Sequence, residues 1–444
     1  MDGRADREVL LHIGLSKTGT SSIQACFAAA RPALAARGVH YPRSPGVSNH
    51  ALLAMAVAPR AAWRTDPGLW DGVSPELRLA RFRRDFDAEL SGLPPEVRLV
   101  VLSAEQCTDF LRQREHVAAL RDLLAPHARR IRVVVYLRRQ DRHYASLYVQ
   151  LLRSGGRVGP PALPTEAELR ASWLGGYYDY AETLRLWAGV FGREAILPRI
   201  FEPASLAGGD VVDDMLALCG VPGIIPPDAP DRRRNPSWSL PTIRLALAMI
   251  ARLKGEAPQH LAPFGPAWRR FAEMLSAEPP GPGWRPAPED ARAFLARFAD
   301  SNEQLRAEWF PDRASLFAPV EEQEPEPLAP PDPALLSACG LLMQEIVRAL
   351  SLDAERAVLQ ARLAEAAGAA ERAEQRYRAA LRLDPAHAEA HAGLCSLLLA
   401  GRRVAEAAAH LDALRRVAPD SPRVPRLAER LARLRAAASA EAPR

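Results

Sequence analysis

Lys17 is the residue at which chemistry first suggests itself. Of the 58 basic side chains in the 444-residue chain only Lys17 and Lys254 are lysines, so a sequence that meets nearly every demand for a cation with arginine keeps an ammonium here. An ammonium is a compact point charge with rotatable donors, whereas a guanidinium is a planar fork. The lysine stands in "GLSKTGTSS" (14–22), between the apolar run "VLLHI" (9–13) and the helical spacing Ile23, Phe27, Ala30, Leu34. A Gly-bearing loop between a strand and a helix N-terminus gathers backbone N–H groups around one point, and the helix dipole adds partial positive charge. The stretch therefore predicts an anion cradle. Its order differs from GxxxxGK(S/T), because Lys17 precedes Gly19 and Thr20, and no strand ends in an aspartate placed to hold Mg²⁺. An anion bound without a metal is the expectation.

A second basic group follows a second strand. "IRVVVYL" (131–137) runs into Arg138, and Ser146 follows eight residues later, off the apolar stripe of Tyr144, Leu147, Tyr148 and Leu151. Arg139 has the apolar Leu147 at the same offset. The loop "DRRRNP" adds Arg232, Arg233 and Arg234, either as anion ligands or as a solvated turn. For proton transfer, Glu105 stands just past the strand "VRLVVL" (97–102), and His50 stands at a helix start in "SNHALLA". The competing reading of Glu105 is structural: Ser103 and Gln106 have the spacing of a capping box.

These residues need strands that end together. Candidate strands at 9–13, 97–102, 131–137 and 195–201 alternate with helical patterns such as Glu76–Leu90 and His116–Leu124, which predicts an α/β fold with a parallel sheet flanked by helices. The Pro/Gly-rich stretches 154–166 and 220–230 read as loops.

The loop "LHIGLSKTGTSSIQ" resembles the 5′-phosphosulfate loop of sulfotransferases that use 3′-phosphoadenosine 5′-phosphosulfate (PAPS), with Lys17, Thr18, Gly19, Thr20 and Ser21 matching residue by residue. "VVVYLRRQDRHYASLYVQLL" resembles the same family's second motif, in which Arg138 and Ser146 would grip the nucleotide's 3′-phosphate. Residues 177–221, "DRRRNPSWSL" and "FADSNEQLRAEWFPDRASLF" resemble later parts of bacterial members, so the likeness runs over 8–318. The resemblance implies a P-loop-like sulfotransferase domain over 1–318 and a metal-free site. It also implies a base at Glu105 or His50, and a basic loop at Arg233 and Arg234 that closes on the 3′-phosphate. The acceptor it implies is a hydroxyl or amine of a saccharide, glycolipid or small metabolite.

The acidic, Pro-rich segment 319–333 reads as a linker. Beyond it, residues 334–444 are rich in Ala, Leu, Arg and Glu, and Ala373, Ala379, Arg382 and Pro385 recur at Ala407, Ala413, Arg416 and Pro419. The period of 34 resembles the tetratricopeptide helix–turn–helix, although Cys395 stands where that family usually has Gly. Such repeats imply a protein partner; the alternative is an Ala-rich helical tail packing on the enzyme or a second subunit.

A net charge of +5 suits an anionic ligand, but no nucleic-acid-binding motif and no long basic run interleaved with aromatics is present. Cys26, Cys107, Cys219, Cys339 and Cys395 are scattered, without metal-ligand spacing. The charged start "MDGRADRE" and the lack of an 18-residue apolar span predict a cytoplasmic protein with no transmembrane segment. Two other functions compete with sulfuryl transfer: a P-loop kinase or nucleoside triphosphatase, and a non-catalytic tetratricopeptide scaffold.

Overall fold

The computed structural model describes residues 7–64, 70, 74–155, 161–233, 238–256, 264–276, 281, 283–322 and 331–440. The chain divides into two compact units. One comprises Met1–Tyr148, Pro161–Ser237 and Trp284–Glu326, and the other Val149–Pro160, Trp238–Gly283 and Pro327–Arg444. A division at 319–333 alone would leave residues 238–283 with the first unit. They pack within the second, where Leu240–Glu256 and Phe264–Ser276 lie against the helix Pro333–Ala366.

The first unit is built on a parallel sheet of β1 (Glu8–His12), β2 (Val39–His40), β3 (Leu99–Ser103), β4 (Arg130–Leu137) and β5 (Ile196–Ile200). Their order is β2-β3-β1-β4-β5. The four expected strands are present, while β2, at two residues, is too short for periodicity to announce. Helix α1 (Thr20–Ala29) and the helix Val211–Leu218 cover one face, where Ile23, Phe27, Val211 and Met215 meet Leu10, Val101, Val134 and Tyr136. The alternate residues Leu11, Leu102, Val133 and Val135 face the other way and are equally buried. Burial on both faces explains why these strands read as continuous apolar runs. In register, His12 lies beside Ser103 on one side and Val134 on the other, so the loops after β1, β3 and β4 leave from one edge. The chain passes from β1 to one side of the sheet and returns to the other for β4, and parallel sheets bind ligands at such a switch point.

In the second unit the helices Ala370–Leu383, Ala388–Ala400, Val404–Val417 and Arg423–Ala440 follow Pro333–Ala366. Residues one 34-residue period apart fill equivalent places: Ala373 and Ala407, Tyr377 and Leu411, Ala380 and Leu414 are all buried. The reading that no apolar span occurs is corrected here. Pro333–Ala366 is long and apolar enough, by length and composition, to cross a membrane. Its only charges over the first half are Glu345 and Arg348, and it leaves Leu341, Leu352, Leu359 and Leu363 exposed.

Candidate functional site

The loop after β1 is shaped by three left-handed residues, Gly14 (φ 99°), Lys17 (φ 61°) and Gly19 (φ 79°). Gly19 is the N-cap of α1 and brings no capping side chain; its carbonyl takes the Ser22 and Ile23 N–H groups at 3.0 and 3.1 Å, which leaves the N–H groups of Thr20 and Ser21 as the ones that can face a ligand. No larger residue fits there, because a Cβ on Gly19 would lie 2.5 Å from Val211 Cγ1. The Thr18 and Thr20 hydroxyls, expected as donors to a ligand, instead donate to the Leu15 carbonyl at 2.6 and 3.1 Å. They brace the loop, which leaves the ammonium of Lys17 and the α1 N-terminus as the donors that can face an anion; Ser21 is exposed beside them. The loop is also gripped from outside. Tyr177 Oη accepts the Ser16 N–H at 3.1 Å, and His143 Nε2 donates to the Ser16 carbonyl at 2.9 Å while its Nδ1 accepts from Tyr178 Oη. Burial, helped by Arg138 and Lys17, holds His143 neutral with a pKa lowered to about 3.

Arg138, at the end of β4, donates from Nη1 to the Lys17 carbonyl at 2.7 Å and lies over the Phe201 ring. Burial and the neighbouring Arg142 lower its pKa to about 10, so it stays charged near neutrality. Arg139 turns the other way, pairing with buried Asp141 at 2.7 Å and donating to the Ala318 and Pro319 carbonyls. The helix Gln140–Arg153 carries Ser146, half-buried, two turns beyond Arg138. Arg232 is removed as a ligand candidate. Its guanidinium is held by Asp213 at 2.7 Å, Asp210 at 3.1 Å and the Ile225 and Pro226 carbonyls. The Arg233 side chain and Arg234 lie outside the described residues.

Glu105 stands between β3 and the helix Gln106–Phe110 without capping it. The capping box expected from Ser103 does not form, because Ser103 Oγ is buried against His12 Nδ1 at 2.9 Å and Gln24 Nε2 at 3.3 Å. Burial raises the Glu105 pKa, and the Lys17 ammonium opposes that rise. His50, the rival base, is corrected by its bonds. Nδ1 accepts the Ser103 N–H at 3.1 Å and Nε2 donates to the Pro42 carbonyl at 3.0 Å, so both nitrogens are committed. Full burial lowers its pKa to about 3. One turn beyond Glu105, Asp109 is pushed up to about 7 by burial and by repulsion from Glu105, against the pull of Arg112, and its Oδ1 is buried without a partner. Beside this pair lies a cavity of about 270 Å³ lined by Leu15, Thr108, Leu111, Tyr177, Glu182 and Trp187.

The helices of the second unit show a further small-residue contact. A Cβ on Gly393 would lie 2.3 Å from Tyr377 Cζ, so Gly393 admits the tyrosine ring, while Cys395 is buried with Sγ 3.4 Å from the Ala407 carbonyl. Residues 364–431 match the tetratricopeptide repeat family profile. The C-terminal helices form a tetratricopeptide-repeat region. No curated protein sequence matches the chain. Among solved structures, the chain is similar to a sulfotransferase from Alicyclobacillus acidocaldarius, with 17% identity, coverage of 60% of this chain and 99% of that one, and a TM-score of 0.30.

Sequence reasoning missed Asp109, Arg142, His143 and Tyr177. Asp109 carried a signal in its i+4 spacing from Glu105, and Arg142 in its place midway between Arg138 and Ser146. His143 and Tyr177 carried none, since each acts by reaching a loop residue more than 100 positions away. The tetratricopeptide-repeat region was visible through its period, but not the glycine that seats Tyr377.

Proposed function

We propose that the first unit transfers the sulfuryl group of PAPS to a hydroxyl or amine of a small acceptor, a saccharide in the first instance. The observation that carries the reading is the 2.7 Å bond from Arg138 to the Lys17 carbonyl, which joins two motif positions 121 residues apart. In such a transfer the bond from sulfur to the nucleotide's phosphate oxygen breaks as a bond to the acceptor oxygen forms, and the acceptor's proton must leave. Lys17 and the α1 N-terminus supply positive charge where the departing phosphate becomes more negative, a contribution that grows toward the transition state. Arg138 and Ser146 would hold the 3′-phosphate by charge-assisted bonds. Glu105, beside Lys17, would accept the proton, and the cavity beyond Leu15 would hold the rest of the acceptor. The raised Glu105 pKa makes it a better base at neutral pH than an ordinary carboxylate, and the Lys17 ammonium beside it favours the ionised form.

Calorimetric titration of the full chain with adenosine 3′,5′-bisphosphate in EDTA tests the donor. Binding is expected without metal; Ser146→Ala should weaken it by about 1 to 3 kcal/mol while affinity for AMP barely changes, and Arg138→Ala, which also loses the bond to the Lys17 carbonyl, should weaken the bisphosphate more than AMP. Equal losses for both nucleotides would reduce Arg138 and Ser146 to a structural role. No binding of the bisphosphate would remove the reading.

A further inference from the structure

Arg142 and Ser146 stand one turn apart on the helix Gln140–Arg153 and so share a face, and Arg138 lies in the short link between β4 and that helix. Arg142 is close enough to Arg138 to depress its pKa. Among the described contacts Arg138 meets a carbonyl and an aromatic ring rather than a carboxylate, and nearby Asp141 is committed to Arg139. Two guanidinium groups are thus gathered where a lone helix surface would separate them.

The charge that answers them comes from far along the chain. Glu321 Oε2 lies 2.5 Å from Arg142 Nη2 and 2.6 Å from Arg285 Nη1. The hydrogen bond from Arg142 lowers the Glu321 pKa, with Arg285 and Arg139 adding to it. The backbone that delivers this carboxylate is pinned just before it. Arg139 Nη1 holds the Ala318 and Pro319 carbonyls at 2.9 and 2.6 Å, and Glu202 accepts the Ala318 N–H at 2.9 Å. Glu321 itself is 55% exposed, and an exposed pair of this kind contributes little to stability. The carboxylate is therefore tethered, singly charged and weakly held, at a cluster that would bind a phosphate dianion more strongly.

We propose that Arg142 is a third ligand for the nucleotide's 3′-phosphate and that Glu321 is an internal anion occupying its guanidinium until the nucleotide displaces it. This rests on the nucleotide reading above. Displacement needs only the Glu321 side chain to rotate, since the anchors on Ala318 and Pro319 before it and the Arg292–Glu322 pair after it can remain.

The test titrates the full chain and its Glu321→Gln, Arg142→Ala and doubly substituted variants with adenosine 3′,5′-bisphosphate and with AMP. Glu321→Gln should tighten bisphosphate binding by roughly 3- to 10-fold and Arg142→Ala should weaken it by about 10-fold or more, the range of charge-assisted contacts, with AMP unaffected by either. In the double variant the gain from Glu321→Gln should vanish, because the two residues act on one contact. Bisphosphate binding unchanged by Glu321→Gln, or equal effects on AMP, would overturn the inference and leave the nucleotide reading standing. Failure of the wild-type chain and Glu321→Gln to bind the bisphosphate at all would remove the nucleotide reading itself.

Discussion

In the repeat region Arg378 and Arg403 alternate with Glu374 and Glu406 across two helices, each cation within 3.0 Å of both carboxylates. Beyond the strand ends Arg138 instead bonds the Lys17 carbonyl and lies near Arg142, and the carboxylate on Arg142 is borrowed from a segment 179 residues downstream. The first arrangement neutralises itself and serves the fold. The second concentrates cations behind tightly packed supports, at a cost in self-repulsion that a bound anion relieves. The difference separates charge that holds helices together from charge that the proposed nucleotide would use, in a chain whose net charge of +5 would not distinguish them.

The comparison breaks most visibly at the proposed base. Glu105→Gln keeps the shape and should lower turnover on an accepting alcohol by about 10² to 10⁴, with bisphosphate affinity near wild type; full activity would move the base elsewhere. Lys17→Ala should cost ~3 to 4 kcal/mol of transition-state stabilisation with an unchanged melting temperature. Lys17→Arg should fail similarly, and an active Lys17→Arg enzyme would remove the significance of the lone lysine.

Two glycines sharpen the contrast, because each admits a neighbour that a Cβ would strike. Gly19→Ala, strained at φ 79° and against Val211, should abolish nucleotide binding. Gly393→Ala should destabilise the repeats by about 1 to 3 kcal/mol and leave nucleotide affinity unchanged, as read by melting and calorimetry on the same samples.

A pH series tests Asp109. Its folded-state pKa of about 7 exceeds the ~3.9 of an unfolded chain. Between these values the folded protein holds a proton that the unfolded chain has lost, so stability falls as pH rises through that window and levels off above it. Asp109→Asn removes the loss, and its melting-temperature advantage should grow from about pH 4 to about pH 7. A constant difference would show that Asp109 is not buried as a carboxylate. The smallest effect is expected from Arg403→Ala, at about 1 kcal/mol or less, shrinking as salt rises.

The strands were legible because both faces of β1, β3 and β4 are buried, which writes each as an unbroken apolar run. Lys17, Arg138 and Glu105 were legible because each follows such a run. The Thr18 and Thr20 hydroxyls and His50 were misread for one reason: polar side chains near a loop were taken as facing a ligand, and their partners are backbone groups, the Leu15 carbonyl for the threonines and Pro42 and the end of β3 for His50. Arg232 was indistinguishable from Arg233 until Asp210 and Asp213 were seen beside it. The place of residues 238–283 was hidden because their helices pack on one that begins more than 50 residues later.

The left-handed backbone at Lys17 has a kinetic consequence. A lysine resists φ near 61°, yet the bonds to Leu15, Ser16 and the Lys17 carbonyl hold the loop in that shape before any ligand arrives. With the loop braced by these bonds, an arriving anion should find no loop that must first close. The association rate of AMP, which carries no 3′-phosphate to displace Glu321, should follow diffusion and electrostatic steering, falling smoothly as ionic strength rises and showing a single phase in stopped flow.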